Sequence, residues 1–259
     1  IFISFLISLR VFQLQPSLSL SVTKDVKTWY PYKWPSEVNA ASPKPLSGRK
    51  LFVMGDSHAS AYDTMFRKLT DEHGVDVRQY AKGGCPAAGL FRPSHIECAQ
   101  YIEKTLAEIQ KLARPGDIVF LASLRVSRLA EQGKIFDEAE ITRQLNARSA
   151  DNRASALQEA SELLGKLKKS SLHVLIDAPK PVFKSPPFRC SDWFNSSNSI
   201  CSSGLALSRD FLLKHRAPVM ESLDQLAGKH PELIVWDPFP ILCPTDTCSA
   251  FDKDGPLFF

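Results

Sequence analysis

Apolar residues from Lys50 onward follow two alternating patterns, and the alternation predicts strands separated by helices. Short uncharged apolar runs are typical of strands buried on both faces of a parallel sheet. Apolar residues three or four positions apart are typical of helices with one buried face. The predicted strands are Leu51–Met54, Val75–Ala81, Asp117–Ala122, Leu172–Ala178 and Leu233–Trp236. The predicted helices are His58–His73, Ile96–Ala113, Asp151–Leu167 and Ser208–Ala227, the last kinked or broken near Pro218.

Strands that alternate with helices predict an α/β fold, a three-layer α/β/α sandwich with a parallel sheet in the middle. We expect about five strands in the flavodoxin-like doubly wound order. The uncharged strand Leu51–Met54 should lie in the interior of the sheet. In such sheets ligands bind at the carboxyl ends of the strands, so the loops that begin at Gly55, Lys82 and Ala122 form the candidate site.

The N-terminal 49 residues follow neither pattern. Ile1 to Leu9 is an uncharged apolar run, too short to span a bilayer, which requires about 20 residues. It lacks the basic start and the small-residue cleavage site of a signal peptide. We expect residues 1–12 to be the tail of a transmembrane helix. The alternative is an ordinary N-terminal strand or helix that packs on the domain.

Residues 13–49 are rich in proline and predict an extended linker. Inside this linker the run from Trp29 to Pro35 contains four aromatic residues among two prolines and a lysine. We expect this aromatic cluster to pack on the surface of the domain. Anchoring at a membrane interface and stacking on a sugar are the alternatives.

The composition is that of a globular protein, with 44% apolar and 23% charged residues. These fractions exclude collagen, coiled coil and wholesale disorder. The net charge of +4 arises from 32 Lys and Arg against 28 Asp and Glu, which are spread along the chain. So small a surplus argues against nucleic acid as the main partner.

The cysteines form three pairs that are close in sequence: Cys85 with Cys98, Cys190 with Cys201, and Cys243 with Cys248. No pair has the Cys-x-x-Cys spacing of a zinc site, so we expect no bound metal. Short loops close most easily, so we expect disulfides in this sequential order, each worth about 2–4 kcal/mol. Three disulfides indicate an oxidising compartment. The alternative is a cytosolic enzyme with free buried cysteines.

Two of the candidate loops carry residues suited to chemistry. The turn Gly55-Asp56-Ser57-His58 places a serine at the start of a helix, where backbone amides can hold the oxyanion of a tetrahedral intermediate. The alternative is that Ser57 only caps the helix, since Ser and Asp are favoured caps. In the loop Lys82-Gly83-Gly84-Cys85-Pro86, a glycine lets the backbone approach a ligand, or simply makes a turn.

The residues Val53-Met54-Gly55-Asp56-Ser57-His58 resemble the first block of the SGNH, or GDSL-like, hydrolase superfamily. The order strand, Gly-Asp-Ser-His, helix, strand, Gly-Cys-Pro resembles the SGNH domain that is fused behind bacterial membrane acyltransferases of the acyltransferase 3 family. The closing run from Asp254 to Phe259 also resembles that subfamily. The resemblance covers residues 50–259 and implies the SGNH-hydrolase fold.

The resemblance implies that Ser57 is the catalytic nucleophile, and that the backbone N–H groups of Ser57 and Gly84 form the oxyanion hole. It implies that the pair Gly55-Asp56 shapes the turn. The third block of the superfamily is an asparagine after the third strand, and the run Leu121-Ala122-Ser123-Leu124-Arg125 has none. Arg125 or Ser123 could supply the missing donor; a structural salt bridge is the alternative for Arg125.

The fourth block of the superfamily, Asp-x-x-His, does not occur up to Phe259. In the resembled subfamily it follows closely on Gly-Pro-Leu-Phe-Phe, which implies that the domain 50–259 stops just before its general base. The 259-residue chain is then expected to be nearly inactive as an esterase. We do not expect His58 to substitute, because its side chain diverges from that of Ser57. His215 and His230 are expected at the surface.

We expect an O-acyltransferase that moves an acetyl group to a cell-envelope polysaccharide, such as O-antigen, through an acyl-enzyme on Ser57. The resemblance implies two partners, its own N-terminal membrane acyltransferase domain and the glycan acceptor. It implies that no cofactor is bound by this domain, that acetyl-CoA is the acyl donor on the membrane portion, and that the domain lies in the periplasm at the bacterial inner membrane. The alternatives are an esterase for glycan acetyl esters and a non-catalytic glycan-binding module.

Overall fold

A computed structural model of the chain describes residues 19–25, 29, 44–91, 93–131, 134–146, 150–202, 204–253 and 255–256. The predicted transmembrane tail, residues 1–12, lies outside the described residues, as does most of the predicted linker. Among the helices of the described part, none is both long enough and apolar enough to cross a membrane.

Short strands alternate with helices along the described chain. The strands are β1 (Lys50–Gly55), β2 (Asp76–Ala81), β3 (Ile118–Ala122), β4 (Ala130–Glu131), β5 (Lys134–Ile135), β6 (His173–Asp177), β7 (Ala206–Ser208), β8 (Leu233–Trp236), β9 (Thr247–Ser249), β10 (Phe251–Asp252) and β11 (Gly255–Pro256). The α-helices are α1 (Asp63–His73), α2 (Ile96–Leu112), α3 (Glu138–Asn146), α4 (Ala150–Lys168), α5 (Pro187–Cys190), α6 (Arg209–Lys229) and α7 (Phe239–Leu242). Segments of 3-10 helix span Val22–Lys24, Ser57–Tyr62 and Trp193–Asn195.

Parallel strands form the central sheet in the order β2-β1-β3-β6-β8. This order is the flavodoxin-like one, so the predicted fold class is confirmed, with β1 in the interior of the sheet. Val53 of β1 pairs with Gln79 of β2 on one side and with Phe120 of β3 on the other. Three antiparallel pairs, β4-β5, β7-β9 and β10-β11, lie outside this sheet and were not predicted.

Successive residues of the central strands face two different helical layers, which explains their uninterrupted apolar runs. Phe52 and Val119 belong to a core with residues of α2, α4 and α6. Their neighbours Val53 and Phe120 belong to a second core, which α1 and the 3-10 helix Ser57–Tyr62 cover. In the described part of the chain, the sheet therefore lies between three helices on one face and α1 with the 3-10 helix Ser57–Tyr62 on the other.

Helix α6 corrects one detail of the sequence prediction. The sequence predicts a kink or a break near Pro218; the break does not occur, since one helix runs from Arg209 to Lys229. A proline inside a helix costs about 3 kcal/mol, and burial of the flanking apolar face can outweigh that cost. Val219, next to the proline, is 2% exposed and packs in the larger core.

All three predicted disulfides are present: Cys85–Cys98, Cys190–Cys201 and Cys243–Cys248. The first joins the loop after β2 to helix α2. The second closes the long excursion between β6 and β7, and the third joins the end of α7 to β9. Each disulfide therefore fixes a loop, in agreement with the preference for short closures.

A part of the predicted linker packs on the domain. The Trp29 side chain is 4% exposed, and its ring meets the ring of Phe188 edge-on, with centroids 5.4 Å apart. The N–H of Val22 donates to Asp192 Oδ1 at 2.7 Å. Both contacts are made to the excursion between β6 and β7. The rest of the aromatic cluster, residues 30–35, lies outside the described part of the chain.

The end of β1 depends on the absence of a side chain at Gly55. A Cβ at this position would lie 1.7 Å from the carbonyl oxygen of Ala122, at the end of β3. That oxygen belongs to the backbone and cannot rotate away as a flexible side chain can. Gly55 therefore lets β1 and β3 converge, and the first and third candidate loops come together.

We predict that Gly55→Ala lowers the free energy of unfolding by about 3 kcal/mol or more, because β1 must separate from β3. Gly165→Ala, in helix α4, is the matched control, since its Cβ would meet no atom within 4 Å. It should stabilise the protein by about 0.5–1 kcal/mol through helix propensity. Urea unfolding measures both variants, and wild-type stability of Gly55→Ala would contradict the close approach.

Candidate active site

Ser57 follows directly on the end of β1, in a turn that buries its neighbour Asp56. Asp56 Oδ1 accepts a hydrogen bond from the N–H of His58 at 2.8 Å and so caps the 3-10 helix. Asp56 Oδ2 accepts from the N–H of Leu124, in the third loop, at 3.1 Å. The cap is therefore Asp56 and not Ser57, whose side chain is exposed at the first position of the helix.

A cavity of about 650 Å³ opens beside Ser57 at the carboxyl edge of the sheet. All three candidate loops contribute to its wall, so the structure brings together segments that are far apart in sequence. The lining residues are Asp56, Ser57, His58, Gly84, Pro86, Phe91, Leu124, Val126, Ser127, Arg128, Glu131, Phe136 and Asn152. Ser57 and Gly84, which the sequence analysis paired in one site, both line this cavity.

The loop that carries Gly84 is held in place on both sides. The N–H of Lys82 donates to the carbonyl of Gly55 at 3.0 Å, and the Cys85–Cys98 disulfide ties the loop to α2. Gly84 has a φ of +74°, in the left-handed region, and there is open space where a Cβ would be. The glycine is therefore required by the backbone conformation and not by crowding.

Arg125 is not a donor to the cavity, contrary to one alternative from the sequence. Its side chain is 1% exposed, and its guanidinium forms an ion pair with Asp177. Its N–H groups also donate to the backbone carbonyls of Leu121, Ala87, Ala88, Ser123 and Asp177 at 2.7–3.2 Å. The salt-bridge alternative is therefore the one that the structure bears out.

Ser123, the other candidate for the missing donor, is also buried behind the cavity wall. Its hydroxyl accepts a hydrogen bond from the N–H of Ala87 at 3.1 Å, and its own N–H lies 3.3 Å from Asp177 Oδ1. Neither Ser123 nor Arg125 lines the cavity. Both residues form hydrogen bonds that connect the second loop to the third, so their role is structural.

Asp177, at the end of β6, joins this network to the opposite face of the sheet. Asp177 Oδ2 accepts a hydrogen bond from the hydroxyl of Tyr62 at 2.7 Å. Burial raises the pKa of Tyr62 far above its ordinary value, and the charge of Asp177 raises it further. The phenol therefore remains protonated and donates permanently to the carboxylate.

His58 lines the cavity but is poorly suited to be the base for Ser57. Its Nε2 lies 3.0 Å from the Arg128 guanidinium, and because arginine can only donate, Nε2 is the acceptor. Burial lowers the pKa of His58, and the cations Arg128 and Lys180 lower it further, while Asp56 opposes them. The imidazole is therefore neutral, with this nitrogen already engaged.

The structure corrects the expectation that His215 lies at the surface. His215 is 4% exposed, and its Nε2 lies 2.9 Å from the carbonyl oxygen of Ser127, a residue of the cavity wall. His215 therefore helps to hold the third loop in place through this contact with the backbone of Ser127. His230 is half-buried, with its Nε2 2.7 Å from the hydroxyl of Ser161, and does not line the cavity.

The polar residues of the cavity wall include four that the sequence analysis missed: Ser127, Arg128, Glu131 and Asn152. Asn152, in the first turn of α4, contributes an amide side chain. Its place in sequence gives no sign of this, since it lies far from the strand ends. Among the described residues no group of three or more His, Cys, Asp or Glu side chains is arranged to hold a metal ion.

The sheet order and the Gly-Asp-Ser-His turn at the end of β1 define an SGNH-type α/β domain. Residues 29–259 match the family described as "SGNH domain (fused to AT3 domains)". The match spans most of the chain, and the chain belongs to this family. Acyl transfer and ester hydrolysis are the activities that this membership supports.

A solved structure of another protein has the same fold. The chain is similar to the periplasmic domain of a lipopolysaccharide acetyltransferase from Salmonella ser. Paratyphi A, with a TM-score of 0.52 and 13% identity over 92% of this chain and 88% of that one. A psychrotrophic esterase from Pseudoalteromonas sp. is less similar, with a TM-score of 0.38 and 10% identity over 73% of this chain and 77% of that one. No curated protein matches the chain significantly.

We predict that the pKa of His58, measured by NMR titration, lies below its ordinary value of 6.5. Arg128→Gln should raise it, because the cation disfavours the imidazolium, whereas Arg78→Gln on strand β2 should leave it unchanged. Between the folded pKa and 6.5 the unfolded chain binds more protons, so the free energy of unfolding should fall as the pH drops through that window. A His58 pKa above 6.5 would contradict the observed pairing.

We also predict that the Cys85–Cys98 disulfide matters to activity beyond its effect on stability. Replacing both cysteines by serine should lower the free energy of unfolding by about 2–4 kcal/mol and release the loop that carries Gly84. The double replacement of Cys190 and Cys201 is the matched control, since it frees a loop outside the cavity wall. Acyl-ester turnover of the full-length protein, measured below the unfolding transition, should fall only in the first variant; equal losses in both variants would refute a local role.

Proposed function

We propose that this domain transfers an acetyl group to a hydroxyl of a cell-envelope polysaccharide through a covalent acyl-enzyme on Ser57. The observation that carries the proposal is the placement of an exposed Ser57 and of Gly84 on the wall of one cavity of about 650 Å³. A serine at a strand end with backbone amides beside it is suited to acyl transfer, because the amides can stabilise the oxyanion.

The reaction would proceed in two balanced halves. Ser57 Oγ attacks the carbonyl carbon of the acyl donor while a base takes its proton, and the oxyanion is held by the N–H groups of Ser57 and Gly84. The donor leaves with that proton, and the acyl group remains on Ser57 as an ester. The glycan hydroxyl then attacks the ester carbonyl, and its proton returns through the base to Ser57 Oγ.

The base is the one part of this machinery that the described cavity wall does not offer, since His58 Nε2 is engaged by Arg128. The resemblance assigns the role to a C-terminal Asp-x-x-His block. The C-terminal strands favour that assignment: Phe251 of β10 packs on the same cluster as Phe136, which lines the cavity. Strand β10 therefore packs on an apolar cluster that reaches the cavity wall.

We infer further that the domain faces the periplasm and works with a membrane acyltransferase domain of the same protein, which would supply the acyl group from acetyl-CoA. The family is one of SGNH domains fused to AT3 domains, and the Salmonella relative in fold is a periplasmic domain. Three disulfides agree with an oxidising compartment.

Hydrolysis by the same serine is the second candidate, with water in place of the glycan hydroxyl. The exposure of Ser57 favours it, because solvent reaches the nucleophile directly. The two activities share the acyl-enzyme and differ only in the acceptor, so they are separated by their products, acetylated glycan or free acetate.

We predict that Ser57→Ala in the full-length protein abolishes glycan acetylation, with a fall of at least about 10³-fold. The fold should be unaffected, because Ser57 is exposed and Asp56 supplies the cap; exposed substitutions change stability by about 0.5 kcal/mol or less. Ser60→Ala is the matched control, an exposed serine in the same 3-10 helix. Normal acetylation by the Ser57→Ala protein would overturn the acyl-enzyme and favour a glycan-binding module.

A further inference from the structure

A second cavity, of about 230 Å³, adjoins the one beside Ser57. The two cavities share four lining residues, His58, Leu124, Arg128 and Glu131. The far wall of the second cavity is formed by the chain that follows β6, from Lys180 to Pro187, which includes three prolines and Phe183. Its volume is below the roughly 300–1,000 Å³ of drug-sized sites, so it fits a ligand of about one sugar unit.

Lys180 lines this cavity and also a neighbouring one that Tyr62 lines. Its ammonium Nζ is buried and has no hydrogen-bond partner among the described residues. The nitrogen lies 3.9 Å from the centroid of the Tyr62 ring, a cation–π contact. Its nearby carboxylate, Asp177, is already taken by Arg125 and Tyr62. Burial lowers the pKa of Lys180, and the attraction of Asp177 opposes that effect.

A buried ammonium without a hydrogen-bond partner lowers the stability of a fold. Its presence in a cavity wall therefore points to a ligand that supplies the missing hydrogen-bond acceptor. A second unpartnered donor lies in the same wall: the hydroxyl of Ser185, which is 1% exposed and has no partner among the described residues. Arg128 adds an exposed guanidinium on the side shared with the first cavity. The opposing carboxylate, Glu131, is exposed to solvent.

We propose that the second cavity binds an anionic group, a carboxylate or a phosphate, carried by a single sugar unit, with Lys180 and Arg128 as its cationic partners. A charged group held between an ammonium and a guanidinium gains charge-assisted hydrogen bonds, while the C–H faces of the sugar meet the prolines and Phe183. Because the cavities share four lining residues, a sugar bound here would lie next to the cavity that Ser57 lines.

The identification of this sugar with the acyl acceptor rests on the proposed function, but binding of the anion does not. The acceptor glycan would then contain an acidic residue next to, or at, the position that is acetylated. Selection of an acidic acceptor over a neutral one would come from the charges of Lys180 and Arg128 at the second cavity.

Calorimetric titration of the protein with D-glucuronate, D-glucose 6-phosphate and D-glucose tests the proposal. At least one of the two acids should bind about 10-fold or more tightly than glucose, and the preference between them identifies the carboxylate or the phosphate. Lys180→Met should weaken binding of that acid by about 10-fold or more, and Arg128→Gln should weaken it as well. Lys184→Met, four residues along the same segment and outside the cavity lining, should bind like wild type.

Thermal unfolding adds a readout that separates this role from a structural one. Methionine keeps the length of Lys180 and a contact with the Tyr62 ring, so Lys180→Met should fold and should have an equal or higher Tm. A protein that is more stable but does not bind the acid is the expected result. If Lys180→Met fails to fold, the exposed Arg128→Gln variant decides the question alone.

Equal affinity for glucose and for both acids, or wild-type binding by Lys180→Met, would overturn the proposal. The Ser57→Ala protein should bind the acid like wild type, because binding requires no acyl transfer. Failure of the acyl-enzyme would therefore show in the acetylation assay alone, and failure of the anion site would show in the titration.

Discussion

The buried pair of Arg125 and Asp177 is the interaction on which the geometry of the site depends. A guanidinium that is 1% exposed is tolerated only when its N–H groups are satisfied. Arg125 donates to carbonyls of the loops after β2 and β3 and pairs with Asp177 at the end of β6. One side chain therefore fixes the carboxyl ends of three strands relative to one another. This connection and the Cys85–Cys98 disulfide together hold the loop that places Gly84 on the same cavity wall as Ser57.

The fold could be predicted from the sequence because its signals are local. Uninterrupted apolar runs such as Leu51–Met54 occur where both faces of a strand are covered, and Gly74 ends α1 in the left-handed conformation that glycine favours. The disulfides followed from the short spacing of the cysteines. Helix α6 continues through Pro218 instead of breaking, because the low helix propensity of proline is outweighed by burial of its neighbours, a tertiary effect that no local pattern contains.

The candidate site could be predicted only in part, since side-chain partners are set by contacts between distant segments. Ser57 and Gly84 lie at strand ends, and topology alone brings strand ends together. The role of Arg125 depends on Ala87, Ala88 and Asp177, and that of His215 depends on a carbonyl in the third loop. The type of a residue limits the interactions that its side chain can form. Which of these interactions occurs depends on the segments that the fold brings next to it.

The close approach of Gly55 to the carbonyl of Ala122 shows that the residues of the motif Gly55-Asp56-Ser57 have different roles. Some are needed for the fold, and one is needed for the proposed reaction. The glycine, and the aspartate that caps the next turn, are required for the sheet to close at this edge, whatever happens in the cavity. The serine is exposed and contributes little to the fold. A relative that had lost the serine nucleophile would still keep the glycine and the aspartate, because the fold requires them. Sequence searches that give most weight to these two residues will therefore find inactive relatives together with enzymes.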